Sequence, residues 1–127
     1  MLPNFIGIGA PKAGTTWLFN CLQEHPQVFV APVKETKFFD DENIEGRILE
    51  YEAHFRGAEG AIAVGEISTR YLSSNRGAAE RIHRYLPEVR LFVSLRNPSD
   101  QAYSHYWHLR RQNFHQWKRA NLPETFE

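Results

Sequence analysis

The sequence predicts an α/β fold in which a mainly parallel sheet is flanked by helices. Short runs of apolar residues alternate along the chain with longer segments in which apolar residues recur at helical spacing. This alternation is typical of a parallel sheet, because parallel neighbours need a crossover helix between them. The 127 residues and the 42% hydrophobic share suit one domain, and no internal repeat or low-complexity linker divides the chain.

The first half of the chain predicts two strands and two helices. A strand over Phe5–Ile8 runs into a turn rich in glycine and proline, and a helix over Thr15–Glu24 follows. The expected apolar stripe of this helix consists of Trp17, Leu18, Cys21 and Leu22. A second strand covers Val28–Val30, a loop covers 31–45, and a second helix covers Arg47–Phe55.

The second half predicts two more strands, each followed by polar residues. A strand over Ala61–Val64 leads into the polar stretch 65–70, and a helix over Ala78–Tyr85 comes next. A strongly apolar strand over Arg90–Leu95 precedes a helix from Pro98 to about His115, whose first residue suits the first helical position. Because ligands bind beyond the carboxyl ends of parallel strands, the polar turns at 9–16 and 96–104 are the candidate site.

The charges balance overall but are unevenly distributed. There are 15 basic and 15 acidic residues, so composition gives no indication of a nucleic-acid or membrane partner. Residues 1–69 carry 5 Lys/Arg against 10 Asp/Glu, whereas residues 70–119 carry 10 against 3 and the last eight carry 0 against 2. The basic second half suits an anionic ligand, although solvated arginines on helix faces explain the same excess.

One cysteine and the absence of a leader-like segment predict a cytoplasmic protein. A lone Cys21 cannot form an intramolecular disulfide, and its position in a helix predicts a small core residue. The chain has no basic start followed by an apolar run, and no apolar stretch long enough to span a bilayer. We therefore expect neither a signal peptide nor a transmembrane segment.

The turn over 9–16 has the layout of a phosphate-binding loop. It follows a strand and contains Gly9 and Gly14. Thr15 and Thr16 come directly after Gly14, where the predicted helix begins. Glycines let the backbone approach an anion, and the N–H groups of the loop and helix N-terminus attract it. The alternative is a tight glycine-rich turn without a ligand.

The loop departs from that of nucleoside triphosphatases. Those proteins carry Lys and then Ser/Thr after the second glycine, whereas here the lysine is Lys12, inside the loop. The strand over 90–95 ends in Arg96 rather than in a carboxylate that would hold magnesium. His105 and His108 lie three apart without a third ligand at fitting spacing, so the sequence predicts no metal site.

Four segments, in the same order, resemble segments of sulfotransferases that use 3′-phosphoadenosine 5′-phosphosulfate (PAPS). Pro11–Leu18 resembles their 5′-phosphosulfate loop, and Arg96–Ser104 resembles their 3′-phosphate motif. Lys34–Asp40 resembles the segment with the catalytic glutamate in the heparan-sulfate-type and bacterial branch, and Gly65–Tyr71 resembles a segment of the acceptor cleft. The resemblance implies a P-loop-like three-layer fold and sulfuryl transfer from PAPS to a hydroxyl or amine.

The same resemblance implies roles for single residues. The donor would be bound by Lys12, Ala13, Gly14, Thr15, Thr16, Trp17, Arg96 and Ser104. Lys12 would also be catalytic, offsetting charge on the leaving phosphate, and Glu35 would be the general base, with Glu66 as the next candidate. Ser104 lies about two helical turns after Arg96, so it reaches the same ligand only if the start of that segment bends back.

The resemblance leaves the acceptor and the activity of the chain open. Ile67 stands where members that act on glycosaminoglycans often carry a lysine, and the family's domain is much longer than this chain. We therefore expect residues 1–127 to form a single PAPS-binding domain without the family's C-terminal part. The acceptor would be a small molecule, lipid or carbohydrate, and the oligomeric state is not predicted. The alternatives are a P-loop kinase or hydrolase and a non-catalytic anion-binding domain.

Overall fold

The structure is a computed structural model that describes residues 1–74 and 76–112. Its elements are, in chain order, β1 (Phe5–Gly9), α1 (Thr15–Gln23), β2 (Val28–Val30), α2 (Ile48–Glu52), β3 (Ala63–Ile67), α3 (Ala78–Tyr85), β4 (Arg90–Val93) and α4 (Pro98–Gln112). The strands form one sheet in the order β2-β3-β1-β4, and all pairings are parallel. The predicted α/β class with a mainly parallel sheet is confirmed.

Several element bounds differ from the prediction. β3 begins two residues later than predicted and runs to Ile67, because the polar Glu66 is buried and pairs within the sheet beside β1. The predicted helix over 47–55 divides into α2 and a 3₁₀ turn at Ala53–Phe55. The predicted continuation of α4 to His115 lies outside the described residues.

Alternation along the strands divides the core between the two faces of the sheet. Ile6 and Val64 point to the face that carries the larger apolar cluster, which includes the rings of Phe39 and Tyr51. The opposite face carries a smaller cluster in which Ile67 packs with Phe19 of α1. Apolar contacts thus lie on both sides of the sheet, as a three-layer fold requires.

The expected apolar stripe of α1 is correct for two of its four residues. Leu18 and Leu22 are partly buried and pack against the smaller apolar cluster. The buried residues of the helix are Thr15 and Phe19, which lie four positions apart and therefore on one face. Trp17 is 72% exposed, and Cys21 is exposed rather than in the core. The apolar spacing misplaced these two residues because apolar residues occur around most of this helix.

The loops that follow β1, β3 and β4 meet at one edge of the sheet. The amide of Ser94 donates to the carbonyl of Gly9 at 2.8 Å, and the amide of Ala10 donates to the carbonyl of Ser94 at 2.9 Å. The amide of Ser68 donates to the carbonyl of Gly7 at 2.9 Å. Within the described ranges, no helix is both long enough and apolar enough to cross a bilayer.

Candidate functional site

The loop between β1 and α1 leaves the first turn of the helix without a side-chain cap. Gly14 is the N-cap residue and has φ 80°, in the left-handed region that favours glycine. A Cβ at this position would have no atom within 4 Å, so its backbone conformation, not a lack of space, favours glycine. The uncapped N–H groups of the first turn are suited to an anion.

Three donors from the β4–α4 region brace this loop. Ser94 Oγ donates to the carbonyl of Ala13 at 2.6 Å, and Arg96 Nη1 donates to the carbonyl of Lys12 at 3.3 Å. The amide nitrogen of the Gln101 side chain donates to the carbonyl of Pro11 at 2.8 Å. Three consecutive carbonyl oxygens of the loop are therefore bonded to one later segment of the chain.

The loop forms one wall of a cleft with a volume of about 700 Å³. Among the described residues, the Lys and Arg residues that line it are Lys12, Lys34, Lys37, Arg70 and Arg96, against one acidic residue, Glu35. Such an excess of positive charge suits a ligand with several negative charges.

Two of these cations are paired, and two others are not. Lys34 Nζ lies 3.0 Å from Glu35 Oε1, and Arg70 Nε lies 3.3 Å from a carboxylate oxygen of Asp40. Among residues 1–74 and 76–112, the ammonium groups of Lys12 and Lys37 have no hydrogen-bond or ion-pair partner. These two cations are therefore available to a bound anion.

The carboxylate of Glu35 is held in the cleft by three donors. Oε2 accepts from the backbone N–H of Thr69 at 2.9 Å, and Oε1 accepts from the Thr69 hydroxyl at 2.9 Å and from Lys34 Nζ at 3.0 Å. Because a carboxylate oxygen can accept two hydrogen bonds, Oε2 keeps room for one more donor. An acceptor O–H or N–H could use this position.

The structure brings most of the predicted site residues to the cleft. Those that line it are Lys12, Gly14, Thr15, Thr16, Glu35, Arg96 and Ser104. Arg96 precedes α4 and Ser104 lies inside that helix, and both nevertheless face one cleft. Neither Ala13, which is buried, nor Trp17, which is 72% exposed, lines the cleft. Their predicted contacts with the donor stay predictions.

His108 is a cleft residue to which the sequence reasoning gave no role in the anion site. It lies four positions after Ser104 and therefore on the same face of α4. Burial, and then the positive charge of Lys12, hold the pKa of His108 below its ordinary value. The i, i+4 spacing from Ser104 is the sequence signal that could have identified it.

Thr69 lies in the segment 65–71 that the resemblance assigns to the acceptor cleft, but its contact with Glu35 was not predicted. Glu66 has a different position from the one expected. Glu66 has no exposed surface, and its carboxylate accepts hydrogen bonds from four side-chain hydroxyls. An acceptor cannot reach it, so Glu66 is not an alternative base.

Comparison with known proteins gives consistent matches. The family described as "Sulfotransferase domain" matches residues 2–127. The membrane-associated sulfotransferase kil1 of Dictyostelium discoideum is 35% identical over 129 residues, which cover 99% of this chain and 27% of that protein. The human bifunctional heparan sulfate N-deacetylase/N-sulfotransferase 2 is 35% identical over 120 residues, covering 86% of this chain and 13% of that protein.

A solved structure has a similar fold. The crystal structure of a sulfotransferase from Alicyclobacillus acidocaldarius superposes with a TM-score of 0.76 and 35% sequence identity. The match covers 97% of this chain and 54% of that chain. The chain therefore spans about half of this structural relative and a smaller share of the two curated relatives.

Proposed function

This chain belongs to the sulfotransferase family, and we propose that its cleft binds PAPS and supports transfer of the sulfuryl group to a hydroxyl or amine. One observation carries the proposal. The loop with Lys12, the segment with Arg96 and the carboxylate of Glu35 converge on one basic cleft, although they come from distant parts of the chain.

Two sets of cleft residues suit the two phosphates of the donor. At the loop, the amides of the first turn of α1 and the hydroxyls of Thr15 and Thr16 would bind the 5′-phosphate. Arg96 and Ser104 would bind the 3′-phosphate. A guanidinium carries five N–H donors, and in Arg96 one of them bonds to the carbonyl of Lys12, so others remain for a phosphate.

The chemistry needs positioning and charge stabilisation. The acceptor oxygen or nitrogen would form a bond to sulfur while the bond between sulfur and the bridging oxygen breaks. Glu35 would take the acceptor proton, and adenosine 3′,5′-bisphosphate would leave. Lys12, whose ammonium has no partner among the residues that the structure describes, would stabilise the negative charge that develops on the leaving phosphate.

A second pocket, lined by polar residues, adjoins this cleft and suits the acceptor. The two share Lys37 and Arg70, and the second has a volume of about 600 Å³. The other residues that line it are Asp40, Asp41, Glu42, Asn43 and Arg76. A wall of charged and amide groups favours a polyhydroxyl acceptor such as a carbohydrate over an apolar lipid or small molecule.

A cytoplasmic location is also proposed, on sequence grounds alone.

Calorimetry and turnover test the proposal. We expect adenosine 3′,5′-bisphosphate to bind more tightly than ATP, and we expect a protein containing this chain to sulfate a carbohydrate from PAPS in the presence of EDTA. Preference for ATP with a requirement for magnesium would instead support a kinase or hydrolase. Tight binding of the bisphosphate without any turnover would support an anion-binding domain.

A further inference from the structure

Glu66 is a fully buried carboxylate that has no part in the proposed chemistry. Its Oε1 accepts from the hydroxyls of Tyr51 at 2.7 Å and Tyr71 at 3.2 Å, and its Oε2 accepts from Ser68 Oγ at 2.8 Å and from Thr36 Oγ1. Within residues 1–74 and 76–112, no basic side chain forms an ion pair with it. Burying a carboxylate without a cation is costly, so the four hydroxyls offset this cost in part.

Two of these hydroxyls connect Glu66 to the segment that carries Glu35. Thr36 is the next residue after Glu35, and its hydroxyl bonds directly to the Glu66 carboxylate. Ser68 Oγ, which donates to Glu66, accepts from the backbone N–H of Lys37 at 3.3 Å. The Glu66 carboxylate therefore binds Thr36 directly and, through Ser68, binds the backbone of Lys37.

The two tyrosines on Glu66 hold the same segment one turn later. The Tyr71 hydroxyl accepts from the backbone N–H of Phe39 at 3.3 Å. The ring of Tyr51 stacks on the ring of Phe38 with centroids 4.8 Å apart. All four residues whose hydroxyls bind Glu66 thus belong to the 36–39 segment or contact it.

The segment needs this support because its backbone is strained. Glu35 has φ 66° and Lys37 has φ 56°, so two non-glycine residues in the left-handed region flank Thr36. Such conformations persist where surrounding contacts enforce them. Glu35 and Lys37 line the cleft, while the Thr36 hydroxyl is bonded to the buried Glu66.

We propose that Glu66 is the positioning residue for the base: its carboxylate, through Thr36 and Ser68, holds the 35–37 backbone so that the Glu35 and Lys37 side chains face the cleft. The catalytic part of this inference rests on the proposed sulfotransferase function. The part that concerns the backbone does not, because it can be measured without a reaction.

The first experiment compares Thr36→Val with Thr36→Ser in a protein that contains this chain and transfers sulfate. Valine keeps the shape of the side chain but removes the hydroxyl that binds Glu66, whereas serine keeps it. We expect Thr36→Val to lower kcat by about a hundredfold, the scale of a misplaced catalytic group. The Kd for adenosine 3′,5′-bisphosphate should stay unchanged, and Thr36→Ser should restore most of the rate.

A double-variant comparison separates positioning from general structural damage. In the Glu35→Gln background there is no base left to misplace, so Thr36→Val should lower kcat little further. An equal loss in both backgrounds, or a wild-type rate for Thr36→Val, would overturn the proposal.

Amide hydrogen exchange gives a readout that needs no turnover. In the 127-residue chain, Thr36→Val should speed exchange at the amides of Lys37 and Phe39 but not at those of β1, and Thr36→Ser should leave it near wild type. Unchanged protection at both amides would refute the positioning role. If the wild-type protein transfers no sulfate from PAPS, the proposed function fails, and the exchange result still decides the role of Glu66 in the segment.

Discussion

The guanidinium of Arg96 donates a hydrogen bond to the backbone carbonyl of Lys12 at 3.3 Å, although 84 positions separate the two residues in the chain. Lys12 belongs to the loop expected at the 5′ end of the nucleotide, and Arg96 belongs to the segment expected at the 3′ end. The two elements are therefore in direct contact, which fixes the spacing between the two proposed phosphate sites.

Arg96→Ala should remove most of the preference for adenosine 3′,5′-bisphosphate over AMP. The two nucleotides differ in the 3′-phosphate, and a hydrogen bond to a charged group contributes about 1.5–3 kcal/mol. Calorimetric Kd values for both nucleotides measure the effect. Arg96→Lys is the matched control, since it keeps the charge but loses the planar fork, and it should retain part of the preference. Equal affinity of the wild-type protein for both nucleotides would contradict this assignment.

Lys12→Ala should damage catalysis more than it damages nucleotide binding. Negative charge on the leaving phosphate increases in the transition state, so an ammonium beside it stabilises that state most. The comparison is kcat against the Kd for adenosine 3′,5′-bisphosphate, with Lys12→Arg as the variant that keeps the charge. Weaker binding with an unchanged kcat would show that Lys12 only holds the nucleotide.

Glu35→Gln should lower kcat by about a hundredfold to ten-thousandfold, the usual contribution of a general base. The amide keeps the size of the side chain but cannot take the acceptor proton. An acceptor that is already deprotonated at the assay pH should be affected less, which separates a base from a residue that only orients the acceptor. Glu45→Gln, at an exposed position outside the cleft, is the control. A wild-type rate for Glu35→Gln would exclude it as the base.

The stability of the protein should depend on pH through Glu66. Burial, which outweighs the hydrogen bonds from the hydroxyls, raises the pKa of Glu66 above the ordinary value of 4.5. The folded state therefore holds this proton to higher pH than the unfolded state does. The stabilisation that this gives is fully present below the ordinary pKa and is lost as the pH rises through the raised one.

Glu66→Gln cannot ionise, so its free energy of unfolding relative to wild type should increase as the pH rises above 4.5. The slope is at most about 1.4 kcal/mol per pH unit for one proton. Urea unfolding over a pH series measures this slope. Glu45→Gln, which removes a carboxylate from an exposed position, is the control. A difference between Glu66→Gln and wild type that does not change with pH would mean that Glu66 has an ordinary pKa.

The phosphate loop and the alternation of strands and helices along the chain could be predicted because their signals are local. The loop is identified by a short stretch of sequence, in which a strand is followed by Gly14 and then by two threonines. The contact between Glu35 and Thr69 could not, because it joins residues 34 positions apart. The exposed side of α1, with Trp17, was also missed, since helical spacing of apolar residues does not say which face meets the sheet.

The central position of β1 in the sheet affects the order in which the chain can fold. Phe5 pairs with Gly65 on one side and with Arg90 on the other, so both neighbours of the first strand come from much later in the chain. During synthesis, the N-terminal strand must wait for β3 and β4 before its edges are covered. The loop after β1 also needs Gln101 for its hydrogen bond to the carbonyl of Pro11, so it cannot take its final form until residue 101 has been synthesised.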